Sequence, residues 1–198
     1  MCLIGIAIDQ DRRYPLVVAA NRDEFFERPA ARMAWWTPAS GGPAILGGRD
    51  MQAGGTWMGM TTLGRLAMVT NVREPHLDAD RSAPSRGRIV PQWLSGDEPP
   101  DRFWMRTALS GHNGFNLLMA DFKLGSCFWS SNRSPYPKRL ERGLFGVSNA
   151  DLDSPWPKVD RLKKSMSEAL KASASVDALS INLFAALASR ETPADDEL

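Results

Sequence analysis

Cysteine is nearly missing from this sequence: 198 residues hold two, Cys2 and Cys127, and they lie far apart. Neither belongs to a metal-ligand spacing, and two isolated thiols make no disulfide scaffold, so a reducing compartment fits. Histidine is as scarce, with His76 and His112 alone. Charge of one sign is lacking too. The formal net charge of +1 provides no long-range attraction for nucleic acid or an anionic membrane. No apolar run approaches the ~20 residues of a membrane helix. The apolar opening is shorter than a secretory signal and has no basic residues before it. The terminal "DDEL" looks like an ER-retrieval tail, and Asn132 to Ser134 form a glycosylation sequon; without a route into the secretory path both read as chance. The expectation is a cytoplasmic protein with no nucleic-acid partner and no transmembrane segment.

What is present is an ordinary globular composition, 43% hydrophobic and 24% charged, sufficient for one well-buried domain over residues 1–190 with a polar, loose tail at 191–198. The first two thirds read mostly as strands. "CLIGIAID" and "LVVAA" flank the polar turn "QDRRYP" and predict a hairpin. Further strands are predicted at "AILGG", "TWMGMT", "LAMVTNV", "FNLLMADF", "SCFWSS" and "LFGVSN", with Gly64 in "TLGR" suited to a tight turn. "SRGRIVPQWLSG" is a poor helix because Pro91 falls in its middle. "PPDRFWMRTALSG" is better, with proline at its start and glycine past its end. Val159, Leu162, Met166 and Leu170 recur at helical spacing, as do Leu179, Leu183 and Leu187. Strands grouped early and helices late predict an α+β fold.

The chemistry concentrates at one end of the predicted hairpin. An antiparallel pair sets the start of its first strand, Cys2, beside the end of its second, "NRDE": Asn21, Arg22, Asp23 and Glu24. If Met1 is removed, Cys2 carries both a thiol and a free α-amine. With ordinary pKa values near about 8.5 and about 8, the amine can act as base for its own side chain, and no histidine is needed. Asp23 would orient the ammonium, and Arg22 would favour the thiolate or bind a substrate carbonyl or carboxylate. Against this stands the plainer view that Cys2 is a small buried hydrophobe and the charges a solvated turn. Acyl transfer also needs donors to an oxyanion. Asn71 in "VTNVREP" and Asn149 in "GVSNADLDSPWPKV" stand at predicted strand ends, where asparagine otherwise serves turns.

Taken together, "MCLIGIAID", "AANRDEFFERPA", "GGRDMQAGGTWMG", "VTNVREP", "SRG", "GFNLLMAD" and "GVSNADLDSPWPKV" resemble the NRDE family, also called the transport and Golgi organisation protein 2 family. The likeness runs in collinear order to about residue 190. That family in turn looks like the cysteine-type N-terminal-nucleophile hydrolases, such as penicillin V acylase and bile salt hydrolase. The resemblance implies a four-layer αββα sandwich of antiparallel sheets. It implies Cys2 as nucleophile, Asp23 as the aspartate ending the second strand, and Asn71 and Asn149 in the oxyanion and substrate region. Arg22 matches less closely, since the arginine of those hydrolases falls on the other side of the turn's asparagine. Asn21, Glu24 and Trp57 are the accompanying substrate-binding candidates. Family members continue for several tens of residues with a late "YGTRS"-like strand, so the sandwich is expected to lack its last C-terminal strands.

The implied activity is hydrolysis of a non-peptide amide or thioester, with an acyl or amide small molecule as substrate and no cofactor required. The family is also linked to haem trafficking and to acyl-CoA lipids. The alternative is therefore a non-enzymatic carrier of haem or acyl-CoA. For haem, Cys2, Cys127, His76, His112 and nine methionines are available, with no spacing that favours any of them. Trp35, Trp36, Trp57 and Phe115 are candidate walls for a flat or greasy ligand, although aromatics at such positions more often build a core.

Overall fold

The apolar run of the opening residues builds the first strand of a computed structural model that describes residues 2–74, 76 and 78–189. In chain order its strands are β1 (Cys2–Asp11), β2 (Tyr14–Arg22), β3 (Ala30–Trp36), β4 (Ile45–Asp50), β5 (Met58–Thr61), β6 (Arg65–Asn71), β7 (Phe115–Asp121), β8 (Ser126–Ser131), β9 (Lys138–Arg139) and β10 (Gly143–Val147). The helices are α1 (Ile89–Ser95), α2 (Pro100–Ala108), α3 (Pro157–Ala172) and α4 (Val176–Leu187). All strand pairings are antiparallel, in two sheets, so the fold is α+β. The chain divides into two compact units, Met1–Asp23 with Glu141–Leu198, and Glu24–Leu140. The tail expected to be loose at 191–198 lies outside the described residues, as does Met1.

The first unit is a three-stranded sheet in the order β10-β1-β2, with α3 and α4 packed on it. Ile4, Gly5, Ile6 and Ala7 are all buried, as a central strand requires. Leu162, Met166, Ala169 and Leu170 of α3 and Leu179 and Leu183 of α4 form the core with Ala7 and Ala19. Their helical spacing is the one seen in the sequence. Two glycines in register, Gly5 and Gly146, let α3 approach the sheet closely. A Cβ on Gly5 would stand 3.0 Å from Leu162 Cδ2 and overlap Met166 Sδ, and one on Gly146 would overlap Val159 Cγ1. At the far end of the hairpin, Arg13 binds both carboxylate oxygens of Asp11. It also donates to the carbonyls of Leu170 at 3.3 Å and Ser173 at 2.8 Å. The guanidinium thereby satisfies the Leu170 carbonyl in the last turn of α3 and the Ser173 carbonyl just past its end.

The second unit is a seven-stranded sheet in sequential order from β3 to β9. Ile45, Ala67, Val69, Leu117 and Met119 on one face pack against Ile89, Val90, Trp93, Leu94 and Phe103 of the helices. Gly64 turns the chain between β5 and β6 with φ +85°, as the sequence predicted. Pro91 does not break its helix. A 3₁₀ turn at Arg86–Arg88 precedes α1 and places the proline in the first helical turn, where its missing N–H would have no acceptor anyway. Phe115 is fully buried, Trp36 and Trp57 pack against the core, and Trp35 is half exposed. Among the described residues no helix is long and apolar enough to cross a membrane.

Candidate active site at the first strand

The ladder of the first unit brings the chemical residues to the start of β1. Cys2 pairs with Arg22 across the β1–β2 hairpin, within the Asn21–Asp23 stretch that the sequence set beside it. On the other side β10 pairs Ile4 with Val147, where the ladder ends, and the chain bends through Ser148 and Asn149 just beyond it. Cys2 thus has Arg22 opposite it on β2. Ser148 completes the framework, because its hydroxyl donates to the Cys2 carbonyl at 2.7 Å and lies 3.3 Å from Asn149 Oδ1. Both Ser148 and Asn149 are buried. The Asn149 amide presents Oδ1 to that hydroxyl, and Nδ2 is its donating end.

The thiol itself is half-buried, and burial pushes its pKa above the ordinary value. Four further effects oppose that rise or add to it. The backbone N–H of Asp23 hydrogen-bonds the sulfur and lowers the pKa, as do the chain's terminal ammonium and, more weakly, Arg22; the Asp23 carboxylate raises it. A thiol held high does not ionise by itself near neutral pH, so attack by Cys2 needs a base beside it. Cys127, on β8 opposite Ala120, is pushed up to about 11 by burial alone. Its position offers no group that favours the thiolate.

The other candidates have separate places. Asp23 is exposed just past β2. Asn21, one residue before Arg22, donates from Nδ2 to the carbonyl of Leu187 at 2.7 Å and so holds the end of α4. In the second unit, Glu24 accepts from the Phe25 N–H and faces Arg28 at 3.8 Å. Asn71 ends β6 opposite Phe115 with its side chain exposed. Trp57 is partly buried against the core of that unit. Sequence reasoning missed Ser148, whose only signal is its place between a strand and Asn149. No group of three or more His, Cys, Asp or Glu side chains among the described residues could hold a metal ion.

Fold and site together define an α+β protein of antiparallel sheets, with a cysteine set at the start of a central strand among arginine, serine and asparagine. The family model described as "Transport and Golgi organisation 2" matches residues 1–198, and the chain belongs to that family. It is 35% identical to the transport and Golgi organization protein 2 homolog of Bos taurus, over 99% of this chain and 75% of that protein. The Homo sapiens homolog matches with the same identity and coverage. The Drosophila melanogaster protein is 30% identical over 100% of this chain and 76% of its own length. The chain thus spans about three quarters of these relatives. Among solved structures, penicillin V acylase from Agrobacterium tumefaciens is similar with a TM-score of 0.49 and 12% identity, covering 97% of this chain and 75% of that one. A mutant conjugated bile acid hydrolase from Clostridium perfringens follows with a TM-score of 0.44 and 12% identity, over 83% of this chain and 57% of that one.

Proposed function

We propose that the chain is an N-terminal-cysteine hydrolase of a non-peptide amide or thioester bond. The observation that supports it most is the setting of Cys2: a half-buried thiol that accepts from the Asp23 N–H, faces Arg22 across the ladder, and has its carbonyl held by Ser148. With Met1 removed, the Cys2 amine takes the thiol proton and the sulfur attacks the substrate carbonyl. Asn149 Nδ2 is the nearby donor for the oxyanion that develops. Collapse of that intermediate expels the amine or thiol, which takes the proton from the ammonium, and leaves an acyl-thioester on Cys2. Water, deprotonated by the same amine, then releases the acid. Arg22 would hold a polar or anionic end of the substrate. The reading takes the sheets to be those of the αββα sandwich implied by the family resemblance, and it needs no cofactor.

The test is intact mass followed by acylation. The protein should lack Met1, and an activated acyl ester or an acyl-CoA should leave a stoichiometric adduct on Cys2. Cys127 should stay unmodified, because a thiol at about 11 is only about one part in a thousand ionised at pH 8. Asn149→Ala should slow adduct formation about a hundredfold, and Asn71→Ala tests the sequence-based assignment of Asn71 in the same assay. Tight reversible binding of haem or acyl-CoA, with no adduct on the wild-type protein, would replace the hydrolase by a carrier.

A further inference from the structure

Strand β10 lies at the edge of its sheet, yet its outer edge is not bare at Gly146. Asp153 supplies both halves of a missing strand partner: its carboxylate accepts from the Gly146 N–H at 2.8 Å, and its own N–H donates to the Gly146 carbonyl at 2.8 Å. The pair of bonds closes the loop that runs from Val147 through Ser148 and Asn149 to Leu152. Lys163 of α3 grips the same carboxylate oxygen at 2.7 Å. Asp153 makes these bonds from a left-handed backbone, φ +55°. That region suits aspartate and asparagine among residues with a side chain, and it is strained for most others. Around this clasp, Ser154 folds back on the Asp151 carbonyl through both its N–H and its hydroxyl.

The contacts form a continuous chain. Helix α3 is seated against Gly5 and Gly146, Lys163 on α3 holds Asp153, Asp153 closes the loop at Gly146, and Ser148 in that loop bonds the carbonyl of Cys2. We infer that Asp153 is a positioning residue, the clasp that holds the Ser148–Asn149 loop against Cys2. Its effect on catalysis rests on the hydrolase reading above; its effect on the loop does not. Without the clasp, Gly146 loses its outer partner and the loop loses its anchor to α3. Ser148 then no longer fixes the Cys2 carbonyl, and the thiol and Asn149 lose their mutual alignment. A misplacement of about 1 Å at reacting groups is worth roughly a hundredfold in rate.

Three variants test it: Asp153→Ala, Asp153→Asn and Lys163→Met. Amide exchange should speed up in Asp153→Ala at Gly146, Ser148 and Asn149, while the amides of β2 and the middle of α3 keep their wild-type protection. In acyl-ester turnover the alanine variant should lose about a hundredfold in kcat with KM unchanged. Asparagine keeps the acceptor and tolerates the backbone, so Asp153→Asn should recover most of the rate, and Lys163→Met should fall between the two. If the wild type forms no acyl adduct but exchange still rises in this pattern, the hydrolase reading falls and the clasp stands. Unchanged exchange at Ser148 and Asn149 in Asp153→Ala would overturn the clasp. So would a uniform rise across the unit, which marks loss of stability alone.

Discussion

Gly146→Ala should destabilise the first unit through the addition of a single methyl group. The added Cβ would overlap Val159 Cγ1 and lie 3.3 Å from Lys163 Cδ. Val159 is 2% exposed and sits in the first turns of α3. A β-branched side chain on a helix has essentially one rotamer, so it cannot swing aside. The helix must move instead, away from a seat it shares with Gly5. Overpacking of this kind costs about 1–3 kcal/mol. For a chain of this size each kcal/mol is worth about 2–4 °C, so a fall of roughly 2–12 °C in melting temperature is expected. A double-mutant cycle with Val159→Ala gives the sharper reading. Val159→Ala by itself should destabilise by emptying a buried site, yet in the Gly146→Ala background it should remove the overlap, leaving a coupling of about 1 kcal/mol or more. Calorimetric melts of the four proteins measure it. Additive single-mutant effects, or an unchanged melting temperature in Gly146→Ala, would refute the close seating of α3.

Two further outcomes concern charge. Asp23→Asn removes the carboxylate that raises the Cys2 pKa and keeps the N–H that lowers it, so the pH profile of Cys2 alkylation should move to lower pH. Because Asp23 is exposed, the melting temperature should stay within about 2 °C; an unmoved profile would remove Asp23 from the site. Asp11 is held at about 2, against an ordinary 3.8, by hydrogen bonds from Arg13. A depressed carboxyl stabilises the fold fully above its unfolded value and loses that contribution as pH falls through the folded one. The melting temperature of the wild type should therefore fall more steeply than that of Asp11→Asn between about pH 4 and pH 2, and parallel curves would show that the pair adds nothing.

The elements whose pattern repeats locally were legible before any coordinates. The apolar run in "CLIGIAID" and the polar turn after it gave the hairpin and set Cys2 beside the end of the second strand, whereas its exact partner, Arg22, depends on a register shift between Ile8 and Asp11 that no local pattern shows. The apolar spacing of Leu162, Met166 and Leu170 gave α3 in the same way. Strand β3 was missed because all but its last residue are exposed and it carries no buried alternation. Pro91 misled because the helix start, which decides whether a proline is tolerated, depends on the preceding 3₁₀ turn. Within the site, the sequence could nominate Cys2, Arg22, Asp23 and Asn149 by residue type. It could not show that Asn21 bonds Leu187, that Ser148 bonds Cys2, or that Asp153 stands in for a strand beside Gly146. The first two join groups 166 and 146 residues apart. The third depends on where the edge of the sheet falls. A local pattern records which face of an element is buried, whereas the partner of a polar group is set only when distant elements have packed.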